Sequence, residues 1–410
     1  MKHILKSSLE WLQVNKPLGW AQLSHQKARL LVAMTGVAFS NILIFTQLGL
    51  RALLFDGVTL VPENLAGDLF LVSAYSPTIS FGSFSQIYLY QADAVTGVAA
   101  ANPLYISSAD WVNPEDLRNP LANGEEEVSS EINFFPSTVR ILAFNPARPV
   151  FDMPEVNQQL DLLNAPGSVL FDRLSQDQLG PVPELLSQQG VVGTVMSNRR
   201  THVVGLFSLG STMFDKGHVI MSDWNLAQRD GQDSLQQVNV GTLFLESGAD
   251  LEVVRSRLQN TLPPAIRVMT REELRRSEQA FRASFPEGKI LNFGAAIGFV
   301  VGVVIVYQVL YTDVSDHLPE YATLKAMGYS DVSLLAVVLQ EAVILAVLGF
   351  IPGYVTSYWV YQLLTYLTKI PLTMRAGIAL QVFVLTLVMC VISGAIAMNK
   401  LRSADPADVF

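Results

Sequence analysis

The sequence predicts an α-helical membrane protein with four transmembrane helices in a 1 + 3 arrangement and a large α+β extracytoplasmic domain inserted between helices 1 and 2. Three observations carry this prediction. Apolar runs at 30–50, 290–311, 334–354 and 377–398 are each about 20 residues long, enough at 1.5 Å per residue to cross a hydrocarbon core of about 30 Å. Roughly 230 mainly polar residues separate the first run from the other three, a length that builds one large core or two smaller ones. Half the residues are apolar and only 15% are charged, which suits four spans plus a folded domain better than a wholly soluble chain.

In chain order this gives a cytoplasmic amphipathic segment at 1–29, a first span at 30–55 and an inserted domain at 56–289. A second span at 290–311, an inner loop at 312–331, a third span at 332–367 with an outer amphipathic extension, a fourth span at 376–399 and a tail at 400–410 follow. Orientation comes from basic flanks. Lys2, Lys6, Lys16, Lys27 and Arg29 stand against the single acid Glu10 before the first span, and short basic flanks are retained in the cytoplasm. Lys400 and Arg402 after the fourth span agree with an inside C-terminus, so the inserted domain faces outward. The first run is longer than the apolar part of a signal peptide, and Arg51, Ala52, Leu53 and Leu54 follow it rather than a small-residue cleavage site, so it reads as a permanent anchor.

Residues 56–289 hold 28 Asp and Glu against 16 Lys and Arg, a charge of −12 within a chain total of −9. That balance disfavours nucleic acid as a partner. The single cysteine, Cys390, lies in the fourth span, so the inserted domain must stand on its own core without a disulfide.

Within the inserted domain, 138–144, 168–171 and 202–209 read as short strands between turn clusters, which predicts a β-rich subdomain at about 110–235. After it the pattern changes to strand 240–245, helix 250–259, strand 266–269 and a second helix at 270–285, capped by Thr270 with Glu273 three residues on. Matching strands are expected at 68–73 and 87–90. The charged helix at 270–285 leads through Pro286 and Gly288 into the second span. It reads either as an ordinary solvated helix or as a stalk carrying movement between membrane and outer domain.

Gly294, Gly298 and Gly302 recur every four residues in the second span and mark one face where another helix approaches closely, within the subunit or across a dimer. Glu341 lies inside the third span, where a carboxylate must face protein rather than lipid. A structural hydrogen bond or water contact is favoured over a proton relay, because no second acid, His or basic partner is read at membrane depth. Pro352 and Gly353 come late in this span, where a kink is expected. In the inner loop, Pro319 suits a first helical position, Glu320 the positive end, Lys325 the negative end and Gly328 a left-handed stop. Tyr321, Leu324 and Met327 or Gly328 then offer an apolar face to something outside the membrane, unless the loop is a plain surface turn.

Catalytic signatures are missing from the sequence. It contains no GxxxxGK[ST], HExxH, CxxC or GxSxG motif, and its five histidines are dispersed, so no catalytic, cofactor-binding or metal site is expected. Energy, where needed, must come from a partner.

The chain also resembles a known family. One span, a large outer domain and three further spans are similar to the permeases of the FtsX, LolC/LolE and MacB class, the mechanotransmission (type VII) ABC transporters. Pro17-Leu18-Gly19-Trp20-Ala21-Gln22-Leu23, Lys27-Ala28-Arg29-Leu30-Leu31-Val32-Ala33, Gly36-Val37-Ala38-Phe39 and Leu53-Leu54-Phe55-Asp56 resemble the cyanobacterial DevC permeases. Glu320-Tyr321-Ala322-Thr323-Leu324-Lys325-Ala326-Met327-Gly328 resembles the class's coupling helix, followed by Glu341, Gly349 and Gly353 of its third span. Pro406-Ala407-Asp408-Val409 is similar to the usual ending. Where the class usually places Arg ahead of this Glu, the chain has His317-Leu318-Pro319.

The resemblance implies a non-catalytic permease subunit of the inner (plasma) membrane. It implies a DevA-like ATPase partner that binds the ATP, a second copy of the chain, an HlyD/DevB-like periplasmic adaptor, a TolC-like outer-membrane channel and surrounding membrane lipids. Pro319, Glu320, Tyr321, Leu324, Lys325, Met327 and Gly328 would couple to the ATPase, and the cargo would be lipid, glycolipid or another hydrophobic compound. Two alternatives stay open: an FtsX-like transmitter that activates a periplasmic hydrolase, and LolC/E-like lipoprotein release.

Overall fold

The computed structural model describes residues 27–117, 137–319, 323, 327, 331–368 and 372–403. They form two units, one built from the long helices and one from the described residues of 53–286.

The helical unit draws on the helices Lys27–Gly57 (as far as Ala52), Pro286–Asp316 (from Glu287), Asp331–Thr368 and Ala376–Ser403. Four segments in them, Leu30–Gly57, Pro286–Asp316, Leu335–Leu367 and Ala376–Met398, are long and apolar enough to cross a membrane. Each runs all-round apolar over most of its length, as lipid contact outside and helix contact inside require. The third helix continues through Pro352 to Thr368, so the expected amphipathic extension is the same helix carried further. Its Ser357 and Tyr361 are buried, and the Tyr361 hydroxyl donates to the carbonyl of Phe45 in the first helix. That contact ties this stretch to the first helix, while Tyr358 and Tyr366 stay exposed.

The described residues of the inserted domain form eleven strands: β1 Leu69–Ser73, β2 Phe84–Ser85, β3 Val98–Trp111, β4 Ser137–Phe144, β5 Ser168–Asp172, β6 Val192–Met196, β7 Arg199–Phe207, β8 His218–Ser222, β9 Gln237–Val238, β10 Val240–Leu245 and β11 Ile266–Met269. Nine of them form one sheet in the order β11-β1-β10-β3-β4-β8-β5-β7-β6, while β2 pairs with β9. Strand β3, 14 residues long, joins the two halves. Its first half pairs antiparallel with β10 (Leu104 opposite Val240), and its second half pairs antiparallel with β4 (Tyr105 opposite Ala143). At its end Trp111 pairs with Met196 of β6, so the β-rich part curls back onto its own first strand. The β-rich segment expected at about 110–235 is therefore continuous with the α+β part and shares its sheet.

Alternation along the strands explains why they read as near-continuous apolar runs. Leu69 and Leu71 enter one apolar cluster with Val139, Ile141 and Val219. Phe70 and Val72 enter the other with Leu142, Phe144 and Ile220. On β1, β5 and β8 both faces are covered and every residue is buried, whereas β7 alternates and exposes Arg200 and His202.

The strand expected at 87–90 is instead part of a helix, Gln86–Asp93. Leu89 and Ala92 are buried while Ile87 and Tyr90 are exposed, a spacing of three rather than two. A short apolar run is compatible with either period, and packing against β3 decides it.

Candidate functional site

The helix Arg271–Ser284 follows β11 directly. Thr270 and Glu273 close a capping box: the Glu273 amide donates to the Thr270 hydroxyl at 3.3 Å, and the Thr270 amide donates to the Glu273 carboxylate at 2.9 Å. Arg255 reaches the same carboxylate through one nitrogen, Nη2, which donates to Oε1 at 2.9 Å and to Oε2 at 2.8 Å. One face of the helix buries Leu274 and Glu278. The opposite face carries Glu272, whose carboxyl is held down at about 2 by hydrogen bonds from Arg275 and Arg276.

Glu278 is the unusual member. Its Oε1 accepts from the Ile79 amide at 2.8 Å, and burial pushes its carboxyl up to about 7 against the opposing effect of that amide and of Arg140 and Arg267. A freely solvated helix does not bury a carboxyl, so this helix is docked onto its own domain. It ends at Phe285, which is extended (φ −75°, ψ 149°), as the residue before a proline must be. Pro286 then starts the second long helix, so a single extended residue separates the two helices along the chain.

In the helical unit the three glycines of the second helix face inward. A β-carbon at Gly298 would lie 3.2 Å from both Leu43 and Ile44, one at Gly294 2.6 Å from the Gln47 amide carbon, and one at Gly302 2.8 Å from the Ser40 hydroxyl and against the Met389 sulfur. Gly349 and Gly353 of the third helix meet the same first helix from another side: a β-carbon at Gly349 would lie 2.5 Å from Val37, and one at Gly353 2.8 Å from Asn41. Two glycine faces thus grip one helix, and both are used within the subunit. Side-chain hydrogen bonds add to the grip: Thr386 donates to the Asn41 side chain at 2.7 Å, and Ser393 donates to the Val303 carbonyl at 2.9 Å. Without water as competitor, close backbone approach and such bonds supply the association.

Glu341 is fully buried, and its carboxyl lies beside that of Asp313 in the second helix. His317 places its Nδ1 3.7 Å from the Asp313 carboxylate. The reading that no second acid or histidine accompanies Glu341 is thereby corrected. Asp313 sits just beyond the apolar run at 290–311, and the continuous helix to Asp316 carries it inward as a buried residue.

Of the inner-loop residues, Pro319 and Met327 are described; Glu320, Tyr321, Leu324, Lys325 and Gly328 lie outside the described residues. The Thr323 hydroxyl donates to the Pro319 carbonyl at 2.9 Å and the Met327 amide to the Thr323 carbonyl at 3.0 Å, both at helical spacing. Met327 is 65% exposed. Among the described residues no group of His, Cys, Asp and Glu is arranged to hold a metal ion.

Residues 292–406, from early in the second long helix through the inner loop and both later helices, match the family described as FtsX-like permease C-terminal. Over these residues the chain is similar to the C-terminal part of FtsX-like permeases. No curated protein matches the chain. Two solved structures are similar to part of it. One is the periplasmic region of MacB from Actinobacillus actinomycetemcomitans, 9% identical, covering 52% of this chain and 92% of that one at a TM-score of 0.34. The other is the extracellular domain of the noncanonic ABC-type transporter YknZ from Gram-positive bacteria, 12% identical, covering 50% and 100% at a TM-score of 0.31.

The FtsX-like region contains the inner loop, Glu341 and all five glycines named above. The sequence pattern marked the glycines without saying what they touch. It missed Asp313, His317 and the Tyr361 contact with Phe45; an acid one turn before the end of an apolar helix was the available signal.

Proposed function

We propose that the chain is the permease subunit of an ABC exporter, working as a homodimer in the inner membrane and driven by a separate DevA-like ATPase. The observation that carries this reading is the FtsX-like match across 292–406, which contains the whole loop between the second and third long helices. The loop is joined at both ends to helices that pack on the first span through glycine faces. A push on Pro319, Glu320 and Met327 is then passed to packed helices that transmit displacement as rigid bodies. The second helix follows the docked helix Arg271–Ser284 after one residue, which gives movement a direct chain route to the inserted domain.

With both termini cytoplasmic and the inserted domain periplasmic, an HlyD/DevB-like adaptor and a TolC-like channel complete a route for lipid, glycolipid or another hydrophobic cargo. ATP binding belongs to the partner, consistent with a sequence that has no phosphate loop of its own. Purifying the tagged chain in mild detergent and identifying co-eluting proteins by mass spectrometry tests the assembly. An ATPase together with an adaptor is the expected result. An ATPase with a cell-wall hydrolase or its activator, and no adaptor, would replace export by signalling.

A further inference from the structure

A cavity of about 260 Å³ lies wholly within the inserted domain. Val58, Val61, Ile79 and Phe281 supply apolar walls, and Arg140, Asp215, His218, Glu278 and Arg282 are among the polar side chains between them. The lining residues differ in depth. Asp215, His218 and Glu278 are buried, as are Val61 and Ile79, whereas Phe81 and Phe214 are 79% and 51% exposed. Arg140 donates to Asp215 at 2.8 Å, so these two charges cancel. The Arg282 guanidinium covers the Phe214 ring at 4.1 Å from its centroid, which fixes one aromatic edge of the mouth.

Sites for small ligands have this make-up: mostly apolar walls, few convergent polar groups, and a shape formed in advance. An apolar cavity open to an exposed aromatic rim takes an aliphatic chain more readily than water. At about 260 Å³ it falls just below the roughly 300–1,000 Å³ of sites for drug-sized molecules, which suits one chain rather than two. The buried carboxyls of Glu278 and Asp215 offer hydrogen-bond acceptors, while Arg140 is already engaged with Asp215. A hydroxyl end group satisfies these acceptors without adding charge.

We propose that this cavity binds a single-chain amphiphile, with its hydroxyl end against Glu278 and Asp215 and its aliphatic chain leaving across Phe81 and Phe214. The walls include residues at both ends of the domain, since Val58 directly follows the first long helix and Phe285 directly precedes Pro286. A bound chain therefore touches both segments through which the domain continues into the membrane helices.

The test uses the full chain in phosphatidylcholine nanodiscs, irradiated with a diazirine-bearing decanol and mapped by peptide mass spectrometry. Adducts are expected on peptides containing Phe81, Phe214 or Phe281 and are suppressed by excess plain decanol. Ile79→Trp, which fills the cavity, should weaken them by about tenfold or more. Phe81→Ala changes only an exposed rim position, leaves folding unaffected and should give a loss of about the same order. Adducts confined to the long helices, adducts that plain decanol does not suppress, or labelling unchanged in Phe81→Ala would each overturn the assignment. The readout needs no ATPase, so its failure leaves the exporter reading standing.

Discussion

Replacing Glu278 by Gln probes the docking of the helix that precedes the second span. The wild-type carboxyl stands at about 7 in the folded domain against an ordinary 4.5, so the folded state keeps its proton to higher pH than the unfolded state does. Its contribution to stability is complete below pH 4.5 and is lost as pH rises through 7, a loss of about 3 kcal/mol in all. For a domain of this size that corresponds to about 6–12 °C in melting temperature. Gln keeps an oxygen for the Ile79 amide and has no proton to lose. The two proteins should therefore melt together near pH 4.5, with the variant higher by about 6–12 °C at pH 8. The assay is thermal unfolding of the full chain in nanodiscs with buried Trp111 as fluorescent reporter, after replacing Trp11, Trp20, Trp224 and Trp359 by Phe in both chains. Parallel pH profiles would refute the buried, docked placement of Glu278.

Three further substitutions test individual contacts. Gly298→Leu drives a side chain into Leu43 and Ile44 and should cost about 1–3 kcal/mol or more, seen as loss of protease resistance in the long helices; Gly377→Ala, with nothing within 4 Å, should leave resistance unchanged. Tyr361→Phe removes the hydroxyl bond to Phe45 and should lower stability by about 1 kcal/mol, measured by unfolding in mixed micelles. Thr270→Ala opens the capping box at a cost of about 1 kcal/mol, which hydrogen exchange of residues 271–284 should report, and Thr270→Ser should restore protection.

The parts legible in the sequence are those set by local chemistry. Apolar length revealed the long helices, and Thr270 with Glu273 fixed the start of the helix that Pro286 brings to an end at Phe285. Strands 240–245 and 266–269 showed their period because turns bound them on both sides. The helix at 86–93 did not, because Leu89 and Ala92 are selected by packing against β3 rather than by any cap or turn residue. Nor could the sequence show that β3 crosses from one half of the sheet to the other, since pairing with β10 and β4 joins segments far apart in the chain. The same limit applies to the candidate site. Gly294, Gly298 and Gly302 announce a contact face, but only the packed helices identify the first span as what fills it. Asp313 lies just outside the apolar run, and only the packed helices bring it beside Glu341.

The central claim is that ATP hydrolysis by a partner acts through the inner loop. Its most direct test is the ATPase rate of the co-purified complex in nanodiscs, compared between wild type and Glu320→Lys. The account proposes that the partner docks at Glu320, and predicts normal insertion of the variant and loss of the permease-coupled activity when this charge is reversed. An unchanged rate in the inserted Glu320→Lys variant would contradict it.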